Sequence, residues 1–204
     1  MNLIKLTAAS AVMAFAGFAA NAASVDTVEA GTGFFTPVGG FETSSPYYRG
    51  EGDNWGWTHG AIAAGFTSAA LNISAYDVDA APCGLTSCEV NNIEAYDAAT
   101  DSWLLLGALE GASDVFSFTE FDIYGYDAGV LIDDIVAGLQ LRIDIDVLGA
   151  GWLVSLSKSV ITTDGADPGN PNPGTNPIPL PAAGWLMIAG IGGLAAVRRR
   201  RKSA

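Results

Sequence analysis

The sequence predicts an all-β body, an antiparallel β-sandwich of jelly-roll or Ig-like type, and three observations carry that expectation. Over residues 139–147 apolar and polar side chains alternate: Leu139, Leu141, Ile143, Ile145 and Val147 point one way, and Gln140, Arg142, Asp144 and Asp146 the other. Successive side chains of a strand point to opposite faces, so a period of two marks a half-buried strand. Stretches rich in glycine, proline and aspartate recur between such runs, and the 3.6-residue period of a long amphipathic helix is absent from them. Short strands separated by turns, with no long helices between, pack as two sheets.

The elements follow in chain order. Residues 1–23 read as a signal peptide: Lys5 gives a positive start, residues 6–20 form an apolar run expected as the signal helix, and Ala20-Asn21-Ala22 closes it. Signal peptidase accepts only small side chains at that spacing, so cleavage after Ala22 or Ala23 would begin the mature chain near Ser24. Residues 24–163 form the sandwich domain. Within it, residues 69–76 place Leu71, Ile73 and Ala75 on one face, and further strands are expected at 90–96, 102–106, 115–123 and 152–162. Gly149-Ala150-Gly151 between the last two strands reads as a hairpin turn. Val130, Leu131, Ile135 and Val136 would line a short helix within 127–138, limited in length by Gly129 and Gly138. Residues 164–177 are rich in proline, glycine and asparagine and lack apolar periodicity, so they read as a linker or stalk.

Charge narrows the function classes. All 22 acidic residues lie between Asp26 and Asp167, a span whose only bases are Arg49, Arg142 and Lys158, so the body carries a net charge of −19. A field of that sign repels phosphate backbones, and nucleic acid is excluded as a partner. Most of these carboxylates are explained by solubility. Cys83 and Cys88 are the only cysteines and are separated by four residues, Gly-Leu-Thr-Ser, which in an oxidising compartment predicts a loop-closing disulfide. One histidine and two cysteines do not supply the usual four zinc ligands, and the redox Cys-x-x-Cys spacing is absent.

Four constellations carry possible chemistry. Asp77 and Asp79 end a predicted strand, and Glu89 with Asn91 follows the cysteine loop. These oxygens would suit calcium, a hard cation that takes six to eight oxygen ligands, although no complete calcium-loop motif occurs. Asp144 and Asp146, two apart on one predicted strand face, are the candidate acid pair of an extracellular hydrolase; ordinary solvation of a sheet gives the same alternation. Tyr47, Tyr48, Trp55 and Trp57, among Arg49, Glu51, Asp53 and Asn54, would stack on sugar rings as a carbohydrate-binding module does, or else fill the core. His59 is the sole histidine, and neither a Gly-x-Ser-x-Gly elbow nor a His-Glu-x-x-His helix accompanies it, so a non-enzyme is expected.

The C-terminus reads as an address. Ile178-Pro179-Leu180-Pro181-Ala182 precedes an apolar stretch to Val197, and Arg198 to Lys202 are all basic. Residues 182–197 would span about 24 Å as a helix. With residues 178–181 the segment reaches the roughly 20 residues of a transmembrane helix, the basic run staying on the cytoplasmic side. This segment resembles the VPLPA-CTERM signal, a relative of the PEP-CTERM signals read by exosortases in Gram-negative bacteria, with Ile178 in place of the first valine. The resemblance covers the last 27 residues. It implies cleavage near Pro181-Ala182 by an exosortase-like peptidase, transient anchoring in the inner membrane, and delivery to the cell surface or extracellular matrix, where exopolysaccharide is a potential partner. The run of Ala75-Tyr76-Asp77-Val78-Asp79, Glu89-Val90, Leu106-Gly107-Ala108-Leu109, Ile143-Asp144-Ile145-Asp146 and Gly151-Trp152-Leu153-Val154 is similar in order to the bodies of many exosortase-sorted proteins. A structural or adhesive role is the expectation for 24–163, although the tail's resemblance does not itself identify what the body does.

Overall fold

The alternation at 139–147 resolves into a strand, Gln140–Asp144, whose even residues face out while Leu141 and Ile143 are fully buried. A computed structural model describes residues 23–79 and 89–174 of the chain. In chain order the strands are β1 (Val25–Glu29), β2 (Trp55–Thr58), β3 (Ala69–Tyr76), β4 (Asn92–Asp97), β5 (Ser102–Ala108), β6 (Phe116–Asp122), β7 (Gln140–Asp144) and β8 (Ser155–Thr163). Between β6 and β7 lie a 3-10 turn at Tyr126–Gly129 and a short helix, α1 (Ile132–Ala137). Gly138 ends α1 at φ 114°, donating its N–H to the Asp134 carbonyl, and a Cβ there would meet the His59 carbonyl at 2.9 Å.

The strands form two four-stranded antiparallel sheets, ordered β1-β8-β3-β6 and β2-β7-β4-β5. In each outer ladder the strand numbers add to nine: β1 pairs β8, β2 pairs β7, β3 pairs β6 and β4 pairs β5. That is a long antiparallel ribbon rolled on itself, closed by β3–β8 in one sheet and β4–β7 in the other. The order is that of a jelly roll, one of the two sandwich types expected. Cross-strand rows fix which side chains enter the core. Val28, Ser159, Ile73 and Thr119 form one row, and Asp26, Ile161, Leu71 and Phe121 the next. From the other sheet Ile93, Ala95, Leu141, Ile143 and Trp57 meet them, and Leu131 and Ile135 close one end of the core.

The two sheets are covered unequally. Every residue of β8 is buried, including Lys158, although β8 alternates in polarity no more than β7 does. The inner face of β8 lies on the second sheet. Its outer face is covered by segments 34–44 and 164–174. Thr36 N–H donates to the Leu156 carbonyl and Ser155 Oγ to the Glu42 carbonyl. Ser74 Oγ and Ser157 Oγ both donate to the Pro171 carbonyl, at 2.6 and 2.7 Å. Residues 164–174, expected as part of a stalk, therefore form a strap across β3 and β8. Farther along, a Cβ at Gly174 would stand 2.0 Å from Val38, so the strap meets the 34–44 segment there.

Several expectations are corrected. Among the described residues no helix is long and apolar enough to cross a membrane. The only α-helix among the described residues, α1, has six residues and spans about 9 Å, a third of a bilayer core. No described residue therefore supplies the expected membrane-spanning helix or the inner-membrane-anchored stage that depended on it; residues 178–204, where that helix was expected, lie outside the described residues, as do Ala20, Ala22 and the rest of 1–22. No disulfide is found among the described residues, and the expected Cys83–Cys88 bridge is not among the contacts that hold this end of the fold; both cysteines fall in the undescribed 80–88 segment. The ends of that segment are instead joined by the Asp79 N–H, which donates to Glu89 Oε2 at 2.8 Å. The turn at Gly149-Ala150-Gly151 is no hairpin: β7 and β8 belong to different sheets, and the chain crosses between them.

If the strap holds the outer face of β8, removing both hydroxyls that grip it will loosen it. The Ser74→Ala/Ser157→Ala double variant is expected to lose about 1–3 kcal/mol of stability in urea denaturation, and to become sensitive to limited proteolysis within 164–174. Unchanged stability and unchanged cleavage would show that the strap is not held by Pro171.

Candidate functional site

The expected site residues fall into structural roles that the sequence did not reveal. Trp57 is 5% exposed, with its ring edge-on to Phe35 at 5.3 Å. Trp55 is half-buried, edge-on to Phe34 and Phe35 and tilted 46° from Trp57. Both stand opposite Leu141 and Ile143 in the β2–β7 ladder and so face inward, where they fill one end of the core. Tyr47 packs edge-on against Phe41, and the Tyr48 hydroxyl donates to Asp77 Oδ2. The four rings do not form one exposed platform.

The residues expected to bind calcium accept hydrogen bonds from the protein. Asp77 sits at φ 62° and receives Tyr48 Oη on one oxygen, with Ser113 Oγ and Asp114 N–H on the other. Burial pushes its carboxyl up, but these donors outweigh that and hold it below the ordinary range. Glu89 is 3% exposed and takes the Asp79 N–H on one oxygen and Asn91 Nδ2 on the other. Its burial raises its pKa in spite of both donors. Asn91 Oδ1 in turn accepts the Asp146 N–H at 2.9 Å. Among the described residues no three His, Cys, Asp or Glu side chains stand together as a metal-binding group. Asp77, Asp79, Glu89 and Asn91 instead knit the β3–β4, β5–β6 and β7–β8 connections into one end of the sandwich.

The expected acid pair does not share a face. Asp144 is half-exposed on the outer side of β7, where its Oδ1 accepts Asn54 Nδ2 at 2.6 Å. β7 ends there. Asp146 turns inward at φ 47°, is fully buried, and its carboxylate accepts the N–H groups of Ala150, Gly151 and Trp152. One carboxylate lines the surface and the other organises a turn, so the hydrolase geometry is absent from this pair.

Two arrangements emerge that composition and spacing did not show. In the first, His59, just past β2, reaches across to the opposite sheet. Its Nδ1 lies 2.7 Å from Asp26 Oδ2 on β1, and its Nε2 lies 2.7 Å from Ser159 Oγ on β8. The Gly60 N–H also donates to Asp26 Oδ2, so that oxygen is an acceptor and Nδ1 carries the proton. The hydrogen bond from His59 holds the Asp26 carboxyl below the ordinary range, against the effect of burial. These are the residue types of an acyl-transfer triad, with the order of exposure reversed. Ser159 is fully buried between the sheets, whereas the Asp26 side chain keeps 31% exposure. A nucleophile must reach a carbonyl carbon, and Ser159 cannot. The array joins the two sheets.

In the second, the outer face of β2-β7-β4-β5 is open and chemically dense. One cross-strand row runs Trp103, Tyr96 and another Leu105, Glu94, Arg142, Gly56. The Arg142 guanidinium is paired with Glu94 and lies 4.4 Å from the centre of the Trp103 ring, which is itself 5.3 Å from that of Tyr96. At the row's end Gly56 has no side chain, and a Cβ would meet the Leu141 carbonyl at 2.8 Å. Asn54 is fixed at both ends, donating to Asp144 and accepting the Ile145 N–H. A cleft of about 400 Å³ lies among Asn54, Gly56, Glu94, Trp103, Arg142 and Asp144. Arg142 was already visible as one of three bases in the body; Trp103 and Glu94 were not, because only the strand register places them beside it.

Two consequences can be measured. Asp26 titrates below its unfolded value of about 3.9, so its contribution to stability is present above that pH and is lost as pH falls through the lower folded value. Asp26→Asn is therefore expected to flatten the acid limb of melting midpoint against pH, and His59→Ala to cost about 2–4 kcal/mol near neutrality. An acid limb identical in Asp26→Asn would refute the coupling. At the other end of the sandwich, Asn91→Ala deprives Glu89 and the Asp146 N–H of a partner together. It should lose about 2–4 kcal/mol by denaturant titration; a loss under 1 kcal/mol would mean that the network is dispensable.

Compared with protein families and with curated proteins the chain has no match: no family model fits it, and no curated protein is similar to it.

Proposed function

We propose that this chain is an exported protein of the cell surface or extracellular matrix, processed by an exosortase-like peptidase at Pro179-Leu180-Pro181-Ala182, and that its jelly roll serves a structural or adhesive role. The address residues support export: Ala20-Asn21-Ala22 and Ala23 at one end, and the Pro-Leu-Pro-Ala motif at the other. The observation that carries the adhesive reading is the unequal covering of the sheets. The face of β8 and β3 is closed by the chain's own segments, whereas β7 and β4 keep a half-exposed row of aromatic, amide and charged side chains. A sandwich with one finished face and one open face has a defined contact side. Carboxylates give the remaining surface solubility without attracting polyanions.

The reading is tested by following a tagged chain in cells with and without the sorting peptidase, beside a variant in which Pro179, Leu180 and Pro181 are all replaced by alanine. A smaller product at the surface or in the matrix is expected only for the unaltered chain in the peptidase-containing strain. Equal size and location in all three would overturn the sorting assignment.

A further inference from the structure

From the open sheet face we infer a glycan-binding site: the cleft between Trp103 and Asn54 takes a neutral polysaccharide chain laid across β5, β4, β7 and β2. The inference rests on the adhesive reading above and names its ligand. A pyranose ring has a face of C–H groups and a rim of hydroxyls. Its binding site therefore needs an aromatic surface beside fixed donors and acceptors, and both occur here within one cleft.

Trp103 supplies the aromatic surface. It is held in place by Arg142 on its ring and by Tyr96 beside it, and Arg142 is held by Glu94. Such positioning lowers the ordering cost of binding, because the side chains are already set. Polar groups for hydroxyls flank the indole: the guanidinium of Arg142, the carboxylates of Glu94 and Asp144, and the amide of Asn54. Asn54 is anchored to Asp144 and the Ile145 N–H and cannot swing away. The missing side chain at Gly56 keeps the far end of the row open, and backbone packing against Leu141 requires that glycine independently of any ligand.

Charge selects the class of glycan. Within the cleft Arg142 is already paired with Glu94, while Asp144 adds a second carboxylate. Around it the body is acidic, 22 carboxylates against three bases. A polyuronate or sulfated chain would be repelled on approach and would find no unpaired cation in the cleft. A neutral chain meets neither obstacle. The four strands, spaced about 4.8 Å apart, give a platform roughly 14 Å across on which several sugar units can lie.

The test is affinity electrophoresis of the purified protein through gels containing soluble β-glucan, galactomannan, alginate or no polysaccharide. Retardation by at least one neutral polymer and none by alginate is expected. Trp103→Ala should weaken it by about tenfold or more, as loss of a central aromatic anchor does. Arg142→Gln, which keeps a donor while releasing the indole, should weaken it less. Glu120→Gln, on the other sheet, should leave it unchanged. Circular dichroism melts of each variant separate lost binding from lost folding. The inference is overturned by retardation in alginate alone, by retardation that Trp103→Ala leaves intact while folded, or by no retardation in either neutral polymer. Matrix retention of the tagged chain is scored in parallel. Retention without neutral-glycan binding sinks the glycan assignment and leaves the adhesive reading standing, whereas loss of both removes the adhesive reading as well.

Discussion

The structure depends on keeping β8 away from water on both sides. This strand pairs with β1 along one edge and β3 along the other, and all nine of its residues are buried. Its inner side chains include Ser159, its outer ones Ser155 and Lys158, and each of these polar groups must be met by something other than solvent. The fold meets them with segments distant in sequence. His59 comes from the opposite sheet to Ser159, while Glu42 and Pro171 bring their carbonyls to the serines outside. Coverage of one strand thus determines where the loops before β2 and after β8 must run, and by elimination which sheet face stays open.

The acidic composition takes on a second meaning in this light. Of the seven non-glycine residues described with left-handed backbone, six are aspartates: Asp77, Asp101, Asp114, Asp127, Asp146 and Asp164. Aspartate tolerates this conformation better than most residues and can accept the N–H groups a turn leaves unpaired. Asp146 does so for three consecutive residues, and Asp164 for Thr67 and Ser68. Carboxylates that look like surface solvation, or like metal ligands, are here fixing turns. A jelly roll has many turns and little helix, so it has many places to use them.

What the sequence made legible was whatever a single strand can show by itself. β3 is legible to the residue and β7 by its alternation, because β7 has one wet and one dry face. β8 is legible as a strand, but its two-sided burial is not: Ser157 and Lys158 look solvent-facing until Pro171 is placed over that side. β1 and β2, five and four residues long, are too short to show a period. Pairings were out of reach, since β1 with β8 joins residues more than a hundred positions apart. The same holds for the sites. His59 stood out as the only histidine, yet its partners lie 33 and 100 positions away. Trp55 and Trp57 drew attention by composition and proved to be core, while Trp103, inside an apolar strand, lies at the open cleft.

The nine-sum pairing also has a consequence in time. A chain is made from its N-terminus, and β1 has no partner until β8 has been synthesised; β2 waits for β7, and β3 for β6. Only β4 and β5, joined by a short turn, can pair early. Contacts so distant in sequence are slow to form, since a large loop must close before they repay its entropy. The emerging chain is therefore long without a sandwich, and the last strand made is the one that completes the first strand's ladder.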